Sequence, residues 1–126
     1  MKKISILLLS FLLAFAFQLS ATENPLWLRY PAISPAGDYI VFSYQGDLFK
    51  VPASGGTAIP LTVHEGYDFM PVWSPDGKRI ALTLTKDGNS EIYVYHIKSE
   101  KLQRITNHRG IDTSPCWSPD GREMVF

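Results

Sequence analysis

A twelve-residue pattern occurs three times in this chain, and it limits the possible folds more than any other feature. The copies are Pro31-Ala-Ile-Ser-Pro-Ala-Gly-Asp-Tyr-Ile-Val-Phe42, Pro71-Val-Trp-Ser-Pro-Asp-Gly-Lys-Arg-Ile-Ala-Leu82 and Pro115-Cys-Trp-Ser-Pro-Asp-Gly-Arg-Glu-Met-Val-Phe126. Their serines, Ser34, Ser74 and Ser118, lie 40 and 44 residues apart. A second pair of segments keeps the same register: Leu61-Thr62-Val63-His64-Glu65-Gly66 against Ile105-Thr106-Asn107-His108-Arg109-Gly110. Self-similarity at such a period marks an architecture built by stacking one supersecondary unit. The four extra residues of the second repeat have a location. Phe42 to Leu48 spans six steps and the matching Leu82 to Ile92 spans ten, so the insertion should lengthen one hairpin.

Each unit reads as four short strands. In the second, Val72-Trp73 forms an inner strand and Ser74-Pro75-Asp76-Gly77 a turn, with proline presetting the first central φ and glycine tolerating a positive one. Arg79 to Thr85 alternates, with Ile80, Leu82 and Leu84 on one face. Asp87-Gly88-Asn89 reverses the chain, Ile92 to Ile97 is rich in β-formers, and Leu102 to Thr106 closes the unit. No helical period stands out. Repeated four-stranded antiparallel units of this length predict an all-β fold of β-propeller blades. An open sandwich is the alternative, but sandwiches do not repeat a whole four-strand unit. Blade 1 covers about 31–62, blade 2 about 71–106, and 115–126 only half of a third. Propellers need four to eight blades to close. The expectation is therefore an incomplete ring of about two and a half blades, a fragment of a longer protein with an open apolar edge at Met124-Val125-Phe126.

The first residues read differently. Lys2 and Lys3 precede the apolar run Ile4 to Phe17, and the chain turns polar by Thr22-Glu23-Asn24. This is the layout of a secretory signal peptide over 1–21, cleaved after Ala21 or, second, Ala16, with 22–126 as the mature part. The run is short for a membrane span, so no stable span is expected after cleavage. The destination would be periplasmic or extracellular. The formal charge of the whole chain is zero, and without Lys2 and Lys3 two acidic residues are in excess. No cluster of more than two basic residues exists, which argues against nucleic acid as a partner. Cys116 is the one cysteine, so an internal disulfide is excluded and the fold rests on its apolar core.

Residues that could carry chemistry are few. No Gly-x-Ser-x-Gly elbow occurs, and the repeated serines sit in turns where they bond nearby N–H groups. His64 with Asp68, and His108 with Asp112, form a repeated His-x-x-x-Asp pair. Glu65 could complete a metal or catalytic set in the first copy, but Arg109 replaces it in the second. A histidine donating to an aspartate, pinning the loop between blades, is the preferred interpretation. Asp87-Gly88-Asn89-Ser90-Glu91 lacks calcium-loop spacing. No catalytic, cofactor-binding or metal residues are therefore assigned. The structural motif is Trp73, Ser74, Pro75, Asp76, Gly77 and Trp117, Ser118, Pro119, Asp120, Gly121, with the tryptophans expected to pack between sheets. Trp27 and Tyr30 show no later counterparts and either cover the first blade's edge or line a ligand groove. Cys116, at the position of Val72, should be buried.

The Trp-Ser-Pro-Asp-Gly turn followed by an apolar strand resembles the TolB-type propeller repeat, found in the Tol–Pal propeller, tricorn proteases and prolyl-oligopeptidase relatives. The stretch Asn24-Pro25-Leu26-Trp27-Leu28-Arg29-Tyr30-Pro31-Ala32-Ile33-Ser34-Pro35 is similar to the start of exported tricorn-like proteases. So are Phe42-Ser43-Tyr44-Gln45-Gly46-Asp47-Leu48-Phe49, Val51-Pro52-Ala53-Ser54-Gly55-Gly56 and His64-Glu65-Gly66-Tyr67-Asp68. That resemblance implies a propeller ahead of PDZ and serine-protease domains, with peptides as partners and none of the catalytic residues in this segment. The second repeat is as close to the Tol-type propeller, which implies an envelope protein as partner instead. A propeller ahead of an α/β-hydrolase domain is the third option. Ala36 departs from the motif, where aspartate is expected, and should weaken the first turn.

Overall fold

The structure, a computed structural model, describes residues 27–126; the leader expected over 1–21 lies outside them. The described residues form strands and turns without a helix, so none is long and apolar enough to cross a membrane. Strands β1 (Arg29–Ile33), β2 (Tyr39–Tyr44), β3 (Asp47–Pro52) and β4 (Ile59–Pro60) make one antiparallel sheet in sequence order. β5 (Tyr67–Trp73), β6 (Arg79–Lys86), β7 (Asn89–His96) and β8 (Lys101–Arg104) make the second in the same order. β9 (Cys116–Trp117) and β10 (Met124–Val125) pair as the start of a third. The inner strands β1, β5 and β9 stand side by side, so the sheets fan out as blades of an open, incomplete propeller.

The insertion lengthens the β6–β7 hairpin without altering its turn. β2 and β3 pair from Tyr39↔Pro52 to Tyr44↔Asp47, whereas β6 and β7 continue to Lys86↔Asn89. Both reversals are two-residue turns with positive φ at both centres: Gln45 (53°) and Gly46 (96°), Asp87 (55°) and Gly88 (79°). This primed geometry matches strand twist, so two residues were added to each arm and the turn was kept. β6 also departs from simple alternation. Ala81 and Thr83 are as fully buried as Ile80 and Leu82, because the second sheet is covered on both faces by its neighbours. Val41, Leu48, Ile80, Leu82 and Tyr95 form the buried cluster joining the two complete blades.

The inner strand is longer than the Val72-Trp73 expected, because a bulge lets pairing resume upstream. The β5–β6 register shifts between Phe69 and Val72, and the β1–β2 register between Arg29 and Ala32. At the bulge, Tyr30, Met70 and Ser114 have φ of 52°, 52° and 60°, each just before a proline. This aligns Trp27 with Tyr67 and Ile111, and Tyr30 with Met70 and Ser114, so both aromatics do have counterparts. Cys116 is exposed rather than buried, since the described residues place no sheet against that side of β9.

The turn motif is a hydrogen-bonded unit. In the second copy the Gly77 N–H donates to the Ser74 carbonyl (2.9 Å), the Ser74 hydroxyl to Asp76 Oδ1 (2.6 Å), and the Arg79 N–H to Ser74 Oγ (3.0 Å). The Lys78 N–H donates to Asp76 (3.0 Å). Ser118, Asp120, Gly121, Arg122 and Glu123 repeat every bond. In the first copy Ala36 has no carboxylate, and Asp38 accepts the Ser34 hydroxyl instead, at 2.6 Å. The weakening expected at Ala36 is thus offset from two residues downstream. Replacing Asp38 with alanine is expected to cost about 1 kcal/mol, the usual worth of such a bond. Adding Ala36→Asp should restore most of it. Urea midpoints of the two variants check this, and an unshifted midpoint for the single variant would show that Ser34 needs no carboxylate.

Candidate functional site at the blade junctions

The repeated polar residues gather where one blade meets the next. Asp68 lies near the start of β5, the inner strand of blade 2, and faces back to blade 1. Its N–H donates to the Gly46 carbonyl in the β2–β3 turn (2.7 Å), and its carboxylate accepts the Thr62 hydroxyl (2.5 Å). Thr62 Oγ1 in turn accepts the Leu48 N–H of β3 (2.8 Å), so one buried chain of bonds ties the two blades. The side chain of Asp68 is fully buried. Burial is the main force on its carboxyl and raises its pKa from 3.8 to about 6, against the opposing Thr62 hydroxyl bond and the His64 ring, with the Asp47 charge adding to the rise.

His64 folds back over Gly66. The Gly66 N–H donates to His64 Nδ1 (3.0 Å), leaving Nε2 3.2 Å from Asp68 Oδ1 without a formed hydrogen bond. Glycine leaves room here for the folded-back ring, and a larger residue would have to displace its neighbours. A Cβ would lie 2.9 Å from Leu84 Cδ2 and 3.1 Å from His64 Nδ1. The second junction repeats the fold. Gly110 N–H donates to His108 Nδ1 (2.8 Å), His108 Nε2 lies 2.9 Å from Asp112 Oδ2, and Asp112 N–H donates to the Ser90 carbonyl (3.0 Å).

The two copies differ in where the threonine hydroxyl goes. Thr106 donates to Glu91 rather than to Asp112 (2.5 Å), and Glu91 also accepts Arg104 at 2.7 Å. Those bonds, Thr106 first, hold the Glu91 carboxyl below its ordinary range. Asp47 occupies the Glu91 position in blade 1, and Pro60 stands where Arg104 would be. The first junction therefore has two carboxylates and no guanidinium. Asp47, rather than the Glu65 considered from sequence, completes the group with His64 and Asp68, their ligand atoms lying within 4.8 Å of one another. The ring tautomer disfavours a cation there. A nitrogen accepting the Gly66 N–H puts the ring proton on Nε2, where a metal would need a lone pair. Asp47 and Thr62 were missed from sequence, although their pairing with Glu91 and Thr106 in the repeat register could have found them.

At the opposite side of each junction the tryptophans reach backward. Trp73 Nε1 donates to the Ala32 carbonyl of β1 (3.1 Å), and Trp117 Nε1 to the Val72 carbonyl of β5 (3.2 Å). The turns stack alongside, with the Cβ position of Gly77 3.8 Å from Pro35 and that of Gly121 3.3 Å from Pro75. Arg79 adds a clamp on the second junction, its guanidinium 4.5 Å from the Trp117 ring centre and bonded to the Gly121 carbonyl (2.9 Å). Asp76 and Asp120 are held below the ordinary carboxylate range, chiefly by Ser74 and Ser118. Pro119 lies exposed in the third turn. A cleft of about 490 Å³ opens between the first two turns, lined by Asp38, Tyr39, Lys50, Trp73 and Asp76 among others.

Comparison with known proteins agrees with this architecture. The chain is 37% identical over 94 residues to the Tol-Pal system protein TolB of Francisella tularensis, covering 70% of this chain and 21% of that protein. It is 32% identical over 83 residues to tricorn protease homolog 1 of Streptomyces coelicolor, covering 66% of this chain and 8% of the relative. It superposes on the crystal structure of TolB from Acinetobacter baumannii with a TM-score of 0.70 at 30% identity, covering 79% of this chain and 26% of that one. The chain thus spans about a fifth of the length of the TolB relative it matches. Residues 25–126 match the family described as the tricorn protease N-terminal beta propeller domain. On that match, which takes in every described strand, the chain belongs to the family of tricorn protease N-terminal β-propeller domains.

Proposed function

We propose that this chain is the N-terminal propeller segment of an exported tricorn-like peptidase, a scaffold that gates or steers peptides toward a catalytic domain elsewhere in the protein. The family match over residues 25–126 carries the proposal. The site chemistry supports a role without catalysis. The serines are bonded into turns, and the threonine hydroxyls at the junctions donate to buried carboxylates, Thr62 to Asp68 and Thr106 to Glu91, beside the histidine–aspartate pairs. The signal-peptide pattern over 1–21 supports export to the periplasm or the medium. Further blades and a serine-protease region would then belong to the same polypeptide.

The similarity to the Tol-Pal system protein favours a second reading, a non-enzymatic periplasmic propeller that binds an envelope protein. One experiment separates the two. The full-length protein is treated with a serine-reactive fluorophosphonate probe and assayed on short fluorogenic peptides. Covalent labelling, with peptide hydrolysis abolished once the probe has reacted, supports the peptidase. Neither labelling nor hydrolysis, with co-purification of an envelope lipoprotein after in-cell crosslinking, overturns it in favour of the binding scaffold.

A further inference from the structure

The second junction holds a contact that the first lacks. Arg79, the first residue of β6, lays its guanidinium 4.5 Å from the Trp117 ring centre and donates to the Gly121 carbonyl at 2.9 Å. The repeat register puts Tyr39, Trp73 and Gly77 at the same places in the first junction. Both indoles are set alike, because Trp73 and Trp117 donate to matching carbonyls, those of Ala32 and Val72. Tyr39 does not take over the role of Arg79. It is 38% exposed, and the Lys50 ammonium sits over its ring at 4.7 Å. Among the described residues no cation stacks on Trp73, and no side chain donates to the Gly77 carbonyl. What stands there instead is the cleft of about 490 Å³, a volume in the range of small-ligand pockets. Where the second repeat has Lys78 and Arg79, the first has Asp38 and Tyr39, so positive charge is lost and a negative charge is gained. The charged residues lining the cleft are Asp38, Asp76 and Lys50, which leaves carboxylate in excess. Ser34 and Ser74 each engage Oδ1 of one aspartate, and Oδ2 of both accepts no hydrogen bond from the described residues.

We propose that this cleft is a receptor for an arginine side chain of a bound peptide. The incoming guanidinium takes the place that Arg79 fills in the second junction, stacked on Trp73 and donating to the Gly77 carbonyl. Its remaining N–H groups face a cleft lined by the carboxylates of Asp38 and Asp76. A guanidinium suits this arrangement because it is planar, so it can lie flat on an indole and donate from its edge at the same time. An ammonium has no flat face to offer. The protein therefore carries its own image of the complex, with Arg79 as the bound group and Trp117 and Gly121 as the receptor. The cleft is complete within the two described blades. The inference thus goes beyond the proposed function, and it requires neither a catalytic domain nor a particular number of blades.

Ligand-observed NMR on the full-length protein tests this, after treatment with the fluorophosphonate so that no peptide is hydrolysed. The probe is acetyl-Gly-Gly-Arg-Gly-Gly-amide, compared with the same peptide carrying lysine or citrulline, the uncharged analogue of arginine. The arginine peptide is expected to bind at least about tenfold more tightly than either, as for a stacked and charge-assisted contact. Tyr39→Arg rebuilds the clamp of the second junction in the first, so the cleft is filled from within. That variant should lose at least about tenfold in affinity for the arginine peptide, while its urea midpoint stays at or above that of the parent. Equal binding of the arginine and citrulline peptides would mean a contact indifferent to charge, and would overturn the proposal. Full affinity in Tyr39→Arg would do the same, since the peptide would then be held elsewhere on the protein. A lysine peptide bound as tightly as the arginine one would overturn the assignment to a guanidinium.

Discussion

Replacing Trp73 with alanine is expected to lower the unfolding free energy by about 3 kcal/mol, the low end for removing a large aromatic from a packed site. Trp73 is half-buried against the cluster of Val41, Leu48, Ile80, Leu82 and Tyr95, and it bridges the two complete blades. Its loss removes ring packing and leaves the Ala32 carbonyl without its indole donor. Trp73→Phe separates these contributions, because it keeps an aromatic ring and deletes the N–H. That variant should lose about 1 kcal/mol from the missing bond, plus a smaller amount from reduced area. Guanidinium titrations followed by far-ultraviolet circular dichroism avoid dependence on the fluorophore being removed. A Trp73→Ala protein as stable as the parent would show that blades 1 and 2 are held by Asp68 and the aliphatic cluster without the indole.

Much of this arrangement was legible in the sequence, and the parts that were not share a cause. The turn motif, the repeat register and the four-strand unit depend on residue types with strong local preferences, such as proline, glycine and the β-branched residues. The position of the insertion could be read from Leu82 and Ile92, but not its even division between β6 and β7, because Asp87-Gly88 also suits a longer loop. The bulge left no common side chain. Tyr30, Met70 and Ser114 adopt the same left-handed backbone with unrelated chemistry, and the constraint comes from strand pairing on either side. Asp38 was hidden for a similar reason, since a carboxylate two places late satisfies the same hydroxyl through a different path. At the junctions the His-x-x-x-Asp pairs were evident. Asp47 was not, because its equivalent is a glutamate: both accept the junction histidine N–H, but only Glu91 also takes the threonine hydroxyl, which in blade 1 goes to Asp68.

That difference between copies makes the first junction respond to pH. Asp68 has a carboxyl pKa near 6 in the folded protein against 3.8 for the free group, so between those values the native state holds a proton that the unfolded chain has released. Stability must therefore fall as pH rises from about 4 to about 6, by on the order of 3 kcal/mol for a shift of this size. Below 4 both states are protonated, and above 6 neither is, so the slope is confined to that window. The groups of opposite sign act elsewhere. Asp76, Asp120 and Glu91 are held below their ordinary values, so what they add is present above about 4.5 and is lost only at lower pH. The charged and titratable groups beside Asp68 are His64 and Asp47. Asp68→Asn removes the carboxyl while keeping its shape, and it should abolish the slope between pH 4 and 6 without a comparable loss at pH 7. Asp47→Asn should shrink it, because one charge opposing ionisation is gone. Glu91→Gln should leave it in place, since Glu91 belongs to the second junction and is paired with Arg104. Urea midpoints across pH 4 to 7 decide the matter. An unchanged slope in Asp68→Asn would place the titrating group outside this junction.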